Sequence, residues 1–279
     1  MLKLYAYFRL LRPLNLLQGA IALLVMATLM DSFPAWNVIL CAVLIVWCYT
    51  GAGNALNDYY DAEIDKINRP ERPIPQGLVS RNGALRLSIV LFLIGSATAI
   101  PFLSKELIVI ILLALFFLIT YSPFFKMRPF WGNVIVSAIL GMTFLFAASL
   151  YADLTRGIPP FCLAFGFNLI REMVKDIQDV SGDHACGAQT MPLRYGTTFT
   201  RRVIILCTVL LMVGALVPYG LGIYGKYYLL TLIFGVEIPL GFFIYSLQKD
   251  SSAANCARLA AFLKGDIFMG LLAIFLGKF

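Results

Sequence analysis

Histidine is nearly missing from this chain: His184 is the only one in 279 residues. A His-based metal cluster is thereby excluded. Charge is scarce too. Asp, Glu, Lys and Arg make up 13% of the residues and hydrophobic residues 60%, against about a quarter and about half in a soluble domain. The apolar excess runs the length of the chain, which excludes a soluble protein with one large core. The six cysteines (Cys41, Cys48, Cys162, Cys186, Cys207 and Cys256) form no C-x-x-C pair, and four fall inside apolar runs. They read as small buried residues, not as a disulfide or zinc framework. There is no P-loop, so ATP is not implied, and no acidic run has EF-hand spacing. No basic stretch is interleaved with aromatics, so the net charge of +7 does not imply nucleic acid. No small-residue cleavage site follows Lys3, Arg9, Arg12 and the first apolar run, so a cleavable signal is not expected. No Ser/Gly-rich linker divides the chain, which reads as one membrane domain, 1–279.

What is there is a series of apolar runs. Nine are long enough to cross a bilayer: about 14–31, 36–57, 83–101, 105–121, 132–151, 159–176, 201–220, 226–247 and 257–277. Pro34, Pro101, Pro123 and Pro159-Pro160 punctuate their ends, where proline costs least. Pro239 falls inside a run and predicts a kink. The expected fold is an all-α integral membrane protein, nine transmembrane helices around a central cavity open to the cytoplasmic face. Lys and Arg set the orientation. With the N-terminus inside, the inner segments hold sixteen of them and the outer segments four, Lys105, Arg156, Lys226 and Lys278. Arg86 and Lys264 stand near helix ends. This predicts a multi-pass protein of the cell membrane with its C-terminus outside.

The charge that exists is concentrated. Residues 54–77 read NALNDYYDAEIDKINRPERPIPQG, at the inner end of the second run. Asn54, Asp58, Asp61 and Asp65 are spaced i, i+4, i+7, i+11, which is one helical face. A second acidic stretch, REMVKDIQDVSGD at 171–183, ends the sixth run, and Asp176, Asp179 and Asp183 repeat the spacing as i, i+3, i+7. Like charges so spaced repel, so a cation must compensate. Two such faces across a cavity suit two or three Mg²⁺ ions shared between carboxylates and phosphate oxygens. The cations are at hand. Prolines 70, 73 and 75 predict a stiff, extended segment holding Arg69 and Arg72, whose guanidinium groups grip phosphate bidentately. Lys126, in the loop YSPFFKMRPFWGN at 121–133 with Tyr121, is a further diphosphate contact, and Arg12 and Asn15 reach the same mouth. Arg171 and Lys175 either pair with the carboxylates or bind a phosphate on a second substrate. The recurrence of an acidic stretch after the second and sixth runs suggests an internal duplication.

These residues resemble a known family. NDYYDAEIDKINRPERPIPQG resembles the first aspartate-rich motif, N-D-x-x-D-x-x-x-D, of the UbiA superfamily of intramembrane prenyltransferases. DVSGD resembles its second motif, and YSPFFK its Y-[ST]-P-x-x-K loop. EIDKINRPERPIPQG and REMVKDIQDVSGDHACGAQTMPLRYG look most like the branch that makes archaeal-type ether lipids, the digeranylgeranylglyceryl phosphate synthases. The resemblance implies Mg²⁺ held by Asp58, Asp61, Asp65, Asp179 and Asp183, with Asp176 a further ligand, and binding geranylgeranyl diphosphate. It implies Arg69, Arg72 and Lys126 as contacts of the diphosphate, and Asn54, Asn57 and Tyr121 as further substrate-binding residues. Arg12, Arg171 and Lys175 would meet the phosphate of the acceptor, geranylgeranylglyceryl phosphate. An aromatic or chlorophyllide acceptor is the nearest alternative, and membrane lipid surrounds the site. A secondary transporter is the rival from another class. Transporters place ionisable residues near the bilayer midplane, where this sequence offers chiefly Glu237.

Overall fold

The computed structural model describes residues 2–279. Among them helices are the only regular structure, and there is no strand. In chain order they are α1 (Leu2–Leu10), α2 (Pro13–Leu29), α3 (Trp36–Tyr60), α4 (Asp65–Asn68), α5 (Arg81–Ala99), α6 (Lys105–Thr120) and α7 (Trp131–Leu150). The second half holds α8 (Ile158–Gln178), α9 (Val180–Ala185), α10 (Met191–Tyr195), α11 (Thr197–Gly220), α12 (Lys226–Leu232), α13 (Ile238–Lys249) and α14 (Ala253–Leu276). In lipid only internally bonded backbone is tolerated, which is why the apolar runs become helices whatever their individual propensities.

Seven helical segments are long and apolar enough to cross a membrane, and α1 with α2 makes an eighth if that pair, bent by 50°, counts as one. The prediction of nine differs at α8. This helix has 21 residues, but its last two turns carry Arg171, Glu172, Lys175 and Asp176, too much charge for an apolar span. The first run, expected at about 14–31, is α2; the helix α1 precedes it across a break at Leu11–Arg12, and α2 opens at Pro13, where proline suits the first helical position. Where the sequence predicts a kink at Pro239, a π-helical turn, Ile233–Glu237, interrupts the run just before the proline, between α12 and α13. A second π turn, Tyr121–Phe125, ends α6. The last span starts at Ala253, not 257, which moves Lys264 from near its end to its middle.

Helix α8 sits centrally, packed on α7, α11 and α14, while α3 packs most closely on α5. Small residues permit this closeness. A Cβ on Gly53 would stand 2.6 Å from Leu118, and one on Gly95 3.0 Å from Cys48. The end of the bundle remote from the acidic stretches is tied by its own cations. Arg156 pairs with Asp31 and Asp153, and Lys278 donates to the Thr28 carbonyl.

Candidate active site

The two acidic stretches are built alike. Helix α3 stops at Tyr60 and α8 at Gln178, and an aspartate follows each: Asp61 at φ −82°, ψ 2°, Asp179 at φ −98°, ψ 9°. Both lie in the sparsely used bridge region where many active-site residues sit. A short helix then restarts, carrying Asp65 in one case and Asp183 in the other. The continuous helical face expected from spacing is therefore broken. Its register survives, because Asp65 N–H donates to the Asp61 carbonyl (2.8 Å) and Asp183 N–H to that of Asp179 (3.0 Å).

The stretches meet. Arg69 donates to both carboxylate oxygens of Asp179, at 2.9 and 3.1 Å. Gly182 of α9 lies so close to Asn68 of α4 that a Cβ there would stand 2.0 Å from the Asn68 Oδ1. The segment after Arg69 is not extended as its prolines suggest. It winds through consecutive turns, closed by Arg72 N–H to Arg69 C=O, Gln76 N–H to Arg72 C=O and Gly77 N–H to Ile74 C=O. Proline favours such turns as well as extended backbone. The turns bring Arg72 back over α3, where it bonds Asp65 at 2.6 Å and Asp58 at 3.2 Å.

Each aspartate of the first stretch has a cation on it. Asp58, 3% exposed, also receives Arg12 at 2.7 Å. Asp61 receives Lys126 at 2.5 Å. Arg12 reaches Asp58 from a left-handed backbone conformation, φ 54°, which is strained for a non-glycine residue. The joint is fixed by Asn54, whose amide donates to the Leu11 carbonyl at 3.0 Å. Asn54 thus positions Arg12 instead of facing the mouth freely. Asn57 accepts a hydrogen bond from Ser122, which anchors the Tyr121 turn. Tyr121 lies within electrostatic reach of Glu172, Asp61 and Asp176, between the two halves. Asp176 accepts from Asn133 at 3.0 Å. Arg171 and Lys175 both clamp Glu172, at 2.8 and 2.7 Å. Glu172, Asn133 and Ser122 were not singled out from the sequence. The signal for Glu172 was its place between two cations one turn apart.

Burial shapes the charges outside the spans. It pushes the Asp65 carboxyl up, against the pull of Arg72. Burial also pulls Arg72 down, yet Asp58 and Asp65 hold it above its ordinary value. Asp183 is pushed up to about 6, first by burial, then by the charge of Asp179.

Among the described residues, no three His, Cys, Asp or Glu side chains converge closely enough to hold a metal ion as they stand. Cations are interleaved between the carboxylates instead. The donor chemistry nonetheless fits a hard divalent cation: buried carboxylate oxygens on two facing helix ends, with no nitrogen or sulfur donor among them. A metal–diphosphate carries both signs of charge, one for the carboxylates and one for the guanidinium groups now resting on them.

Comparison with known proteins places this arrangement. The chain is 31% identical over 271 residues to the digeranylgeranylglyceryl phosphate synthase of Methanosphaera stadtmanae, covering 97% of this chain and 98% of that one. A solved structure of digeranylgeranylglyceryl phosphate synthase in membranes has a TM-score of 0.79 at 27% identity, covering 100% and 99% of the two chains. A UbiA homolog from Archaeoglobus fulgidus, solved with GPP and Mg²⁺, shares the fold with a TM-score of 0.70 at 16% identity, covering 96% and 99%. The UbiA prenyltransferase family model matches residues 19–269, a stretch that takes in both acidic ends and the loop between them. On that match the protein belongs to the UbiA prenyltransferase family.

Proposed function

We propose that the protein transfers a geranylgeranyl group from geranylgeranyl diphosphate to the sn-2 hydroxyl of geranylgeranylglyceryl phosphate. Diphosphate is released, and the product is a precursor of archaeal-type ether lipids. The observation that carries the reading is the junction of the two acidic stretches through Arg69 and Asp179, with Arg12, Arg72 and Lys126 around it. Near-full-length likeness to digeranylgeranylglyceryl phosphate synthases supports the choice of acceptor.

Asp58, Asp61, Asp65, Asp179 and Asp183 are the residues that would hold Mg²⁺, with Asp176 beside them. In the same fold, the Archaeoglobus fulgidus homolog holds GPP and Mg²⁺. Bound there, Mg²⁺ supplies Lewis-acid charge against the diphosphate oxygens. The chain's own cations do the rest. Arg69, Arg72 and Lys126 turn from carboxylates to the diphosphate, where bidentate pairing fixes the scissile C1–O bond. That bond breaks with its electron pair going to diphosphate, and these cations stabilise the negative charge as it develops. The sn-2 oxygen bonds to C1, and the hydroxyl proton is released. The buried mouth keeps water from intercepting the allylic cation. Asn54 and Asn57 hold the two flanking segments, and Tyr121 closes the space between them.

Counting α8 with the eight apolar segments gives nine spans. Lys and Arg gather at the end that bears the acidic stretches, which orients the mouth and the N-terminus to the cytoplasm and the C-terminus outside, in the cell membrane. The direct test is transfer of labelled geranylgeranyl by purified protein, with and without Mg²⁺. The acceptor panel is geranylgeranylglyceryl phosphate, 4-hydroxybenzoate, homogentisate and chlorophyllide. Product on the first acceptor alone is the expected result; product on an aromatic acceptor instead would reassign the branch.

A further inference from the structure

Lys264 stands twelfth in the 24 residues of α14, a cation in the middle of an apolar span. Such a residue is costly in a bilayer and marks function by default. The charges acting on it most are those of Arg171, Arg12 and Lys175, and the opposing carboxylate is Glu172. Arg12 is taken by Asp58. Glu172 is the carboxylate bonded to Arg171 and Lys175, and Asp176 and Asp179 reach Lys175 from the side of the mouth, while Lys264 is a third cation on the side away from them. The Arg171 Nε is moreover buried without a hydrogen-bond partner, a donor with nothing to donate to.

Below these cations the same two helices turn apolar. On α8, Lys175, Arg171, Asn168 and Ala164 are spaced by four, three and four, one helical face. On α14, Lys264, Ile267, Leu271 and Ile274 are spaced by three, four and three. The deeper members of both rows line one cavity, with Phe144 of α7 opposite. Its free space is about 620 Å³, open mouth included. At 1.5 Å per residue the rows descend roughly 15 Å from the cations. A second cavity, lined by Thr50, Met142 and Phe146, lies on the other side of α7, below the end of α3 that bears Asp58 and Asp61. Two substrates with long apolar chains need two such places, and α7 divides them.

We propose that Arg171, Lys175 and Lys264, with the cavity beneath them, seat the acceptor: the cations take its phosphate and the cavity its isoprenoid chain. This rests on the reading that the acceptor is an isoprenoid lipid bearing a phosphate. Lys264 is then a binding residue of this site, and the cavity below α3 is left to the donor.

The test uses K264M, K264R and G270I. A Cβ at Gly270 meets nothing within 4 Å, so isoleucine there enters the cavity without displacing backbone. Metal-free binding of geranylgeranylglyceryl phosphate and of geranylgeranylglycerol, which lacks the phosphate, is measured by native mass spectrometry. The two KM values are measured alongside. K264M should weaken the phosphate lipid by at least about tenfold, the worth of one charge-assisted contact, and leave geranylgeranylglycerol unchanged. K264R should restore most of the loss. G270I should weaken both lipids and leave the KM for geranylgeranyl diphosphate unchanged. Variants that raise the donor KM instead, or that bind both lipids as wild type does, overturn the proposal alone. A wild-type protein that neither binds nor prenylates the phosphate lipid overturns the functional reading along with it.

Discussion

Arg69 touches both oxygens of Asp179 and is the side chain that ties one acidic stretch to the other. Its Nη2 makes both of those bonds while its Nη1 donates to the Asn68 carbonyl at 2.7 Å, so the two prongs of the guanidinium hold Asp179 and the chain of α4 together, and the same fork suits the diphosphate grip proposed for it. Arg69→Lys keeps the charge and loses the fork. We expect kcat/KM for geranylgeranyl diphosphate to fall roughly 10–100-fold, the worth of one or two charge-assisted hydrogen bonds. Steady-state kinetics at saturating acceptor checks this. Asp183 gives a pH dependence of definite sign. Its carboxyl is raised to about 6, so it is protonated below that pH and must lose the proton to ligate a cation. Apparent Mg²⁺ affinity should therefore be flat above about pH 7 and fall as pH drops through 6, and Asp183→Asn should remove the dependence. Titration by calorimetry at pH 5, 6 and 7.5 would reveal a flat profile if another group holds the metal.

The helix breaks and loops are where reading the sequence succeeded least. Spans were legible because a bilayer leaves helix as the only solution for a long apolar run, and most predicted ends fall within a few residues of those found. The breaks at Asp61 and Asp179 were not, since spacing alone cannot distinguish a continuous face from two helices joined in register. Prolines 70, 73 and 75 fit both extended and turned backbone, and the pull of Asp58 and Asp65 on Arg72 favours the turns. In the sequence Lys264 reads as a helix-end cation, because the expected start of the last span is four residues later than the one found. Nor could spacing show that Asn133 and Ser122, far off in the chain, complete the bonds of Asp176 and Asn57. The contact between α4 and α9 yields a prediction of its own. Gly182→Ala places a methyl within 2.0 Å of the Asn68 amide and must drive the two stretches apart. Overpacking of this kind costs roughly 1–3 kcal/mol, and activity should fall with it. Asn68→Ala removes the obstructing atoms, so the double variant should recover stability and part of the activity. A double variant as impaired as Gly182→Ala alone would place the obstruction elsewhere.

The molecule as a whole is a helical bundle with its two acidic stretches at one end and a separate set of ion pairs at the other. Carboxylates Asp58, Asp61, Asp65, Asp179 and Asp183 share the first end with most of the cations, while Arg156, Asp31 and Lys278 tie off the second. That polarity fits an enzyme for amphiphilic substrates better than a transporter with its site at the midplane. The proposed orientation can be measured. In a cysteine-free background, Ile223→Cys should react with an impermeant maleimide from outside intact cells. Ser252→Cys should react only after permeabilisation. The reverse pattern would put the active site outside.

The central claim is that the two acidic stretches form a single metal-dependent prenyl-transfer site. The most direct measurement is Mg²⁺-dependent formation of digeranylgeranylglyceryl phosphate by purified wild type, Asp61→Ala and Asp179→Ala. Wild type should give product only with the metal present, and each variant should lose at least about a hundredfold, though the two residues come from different halves. Full Mg²⁺-dependent transfer by either variant would contradict it.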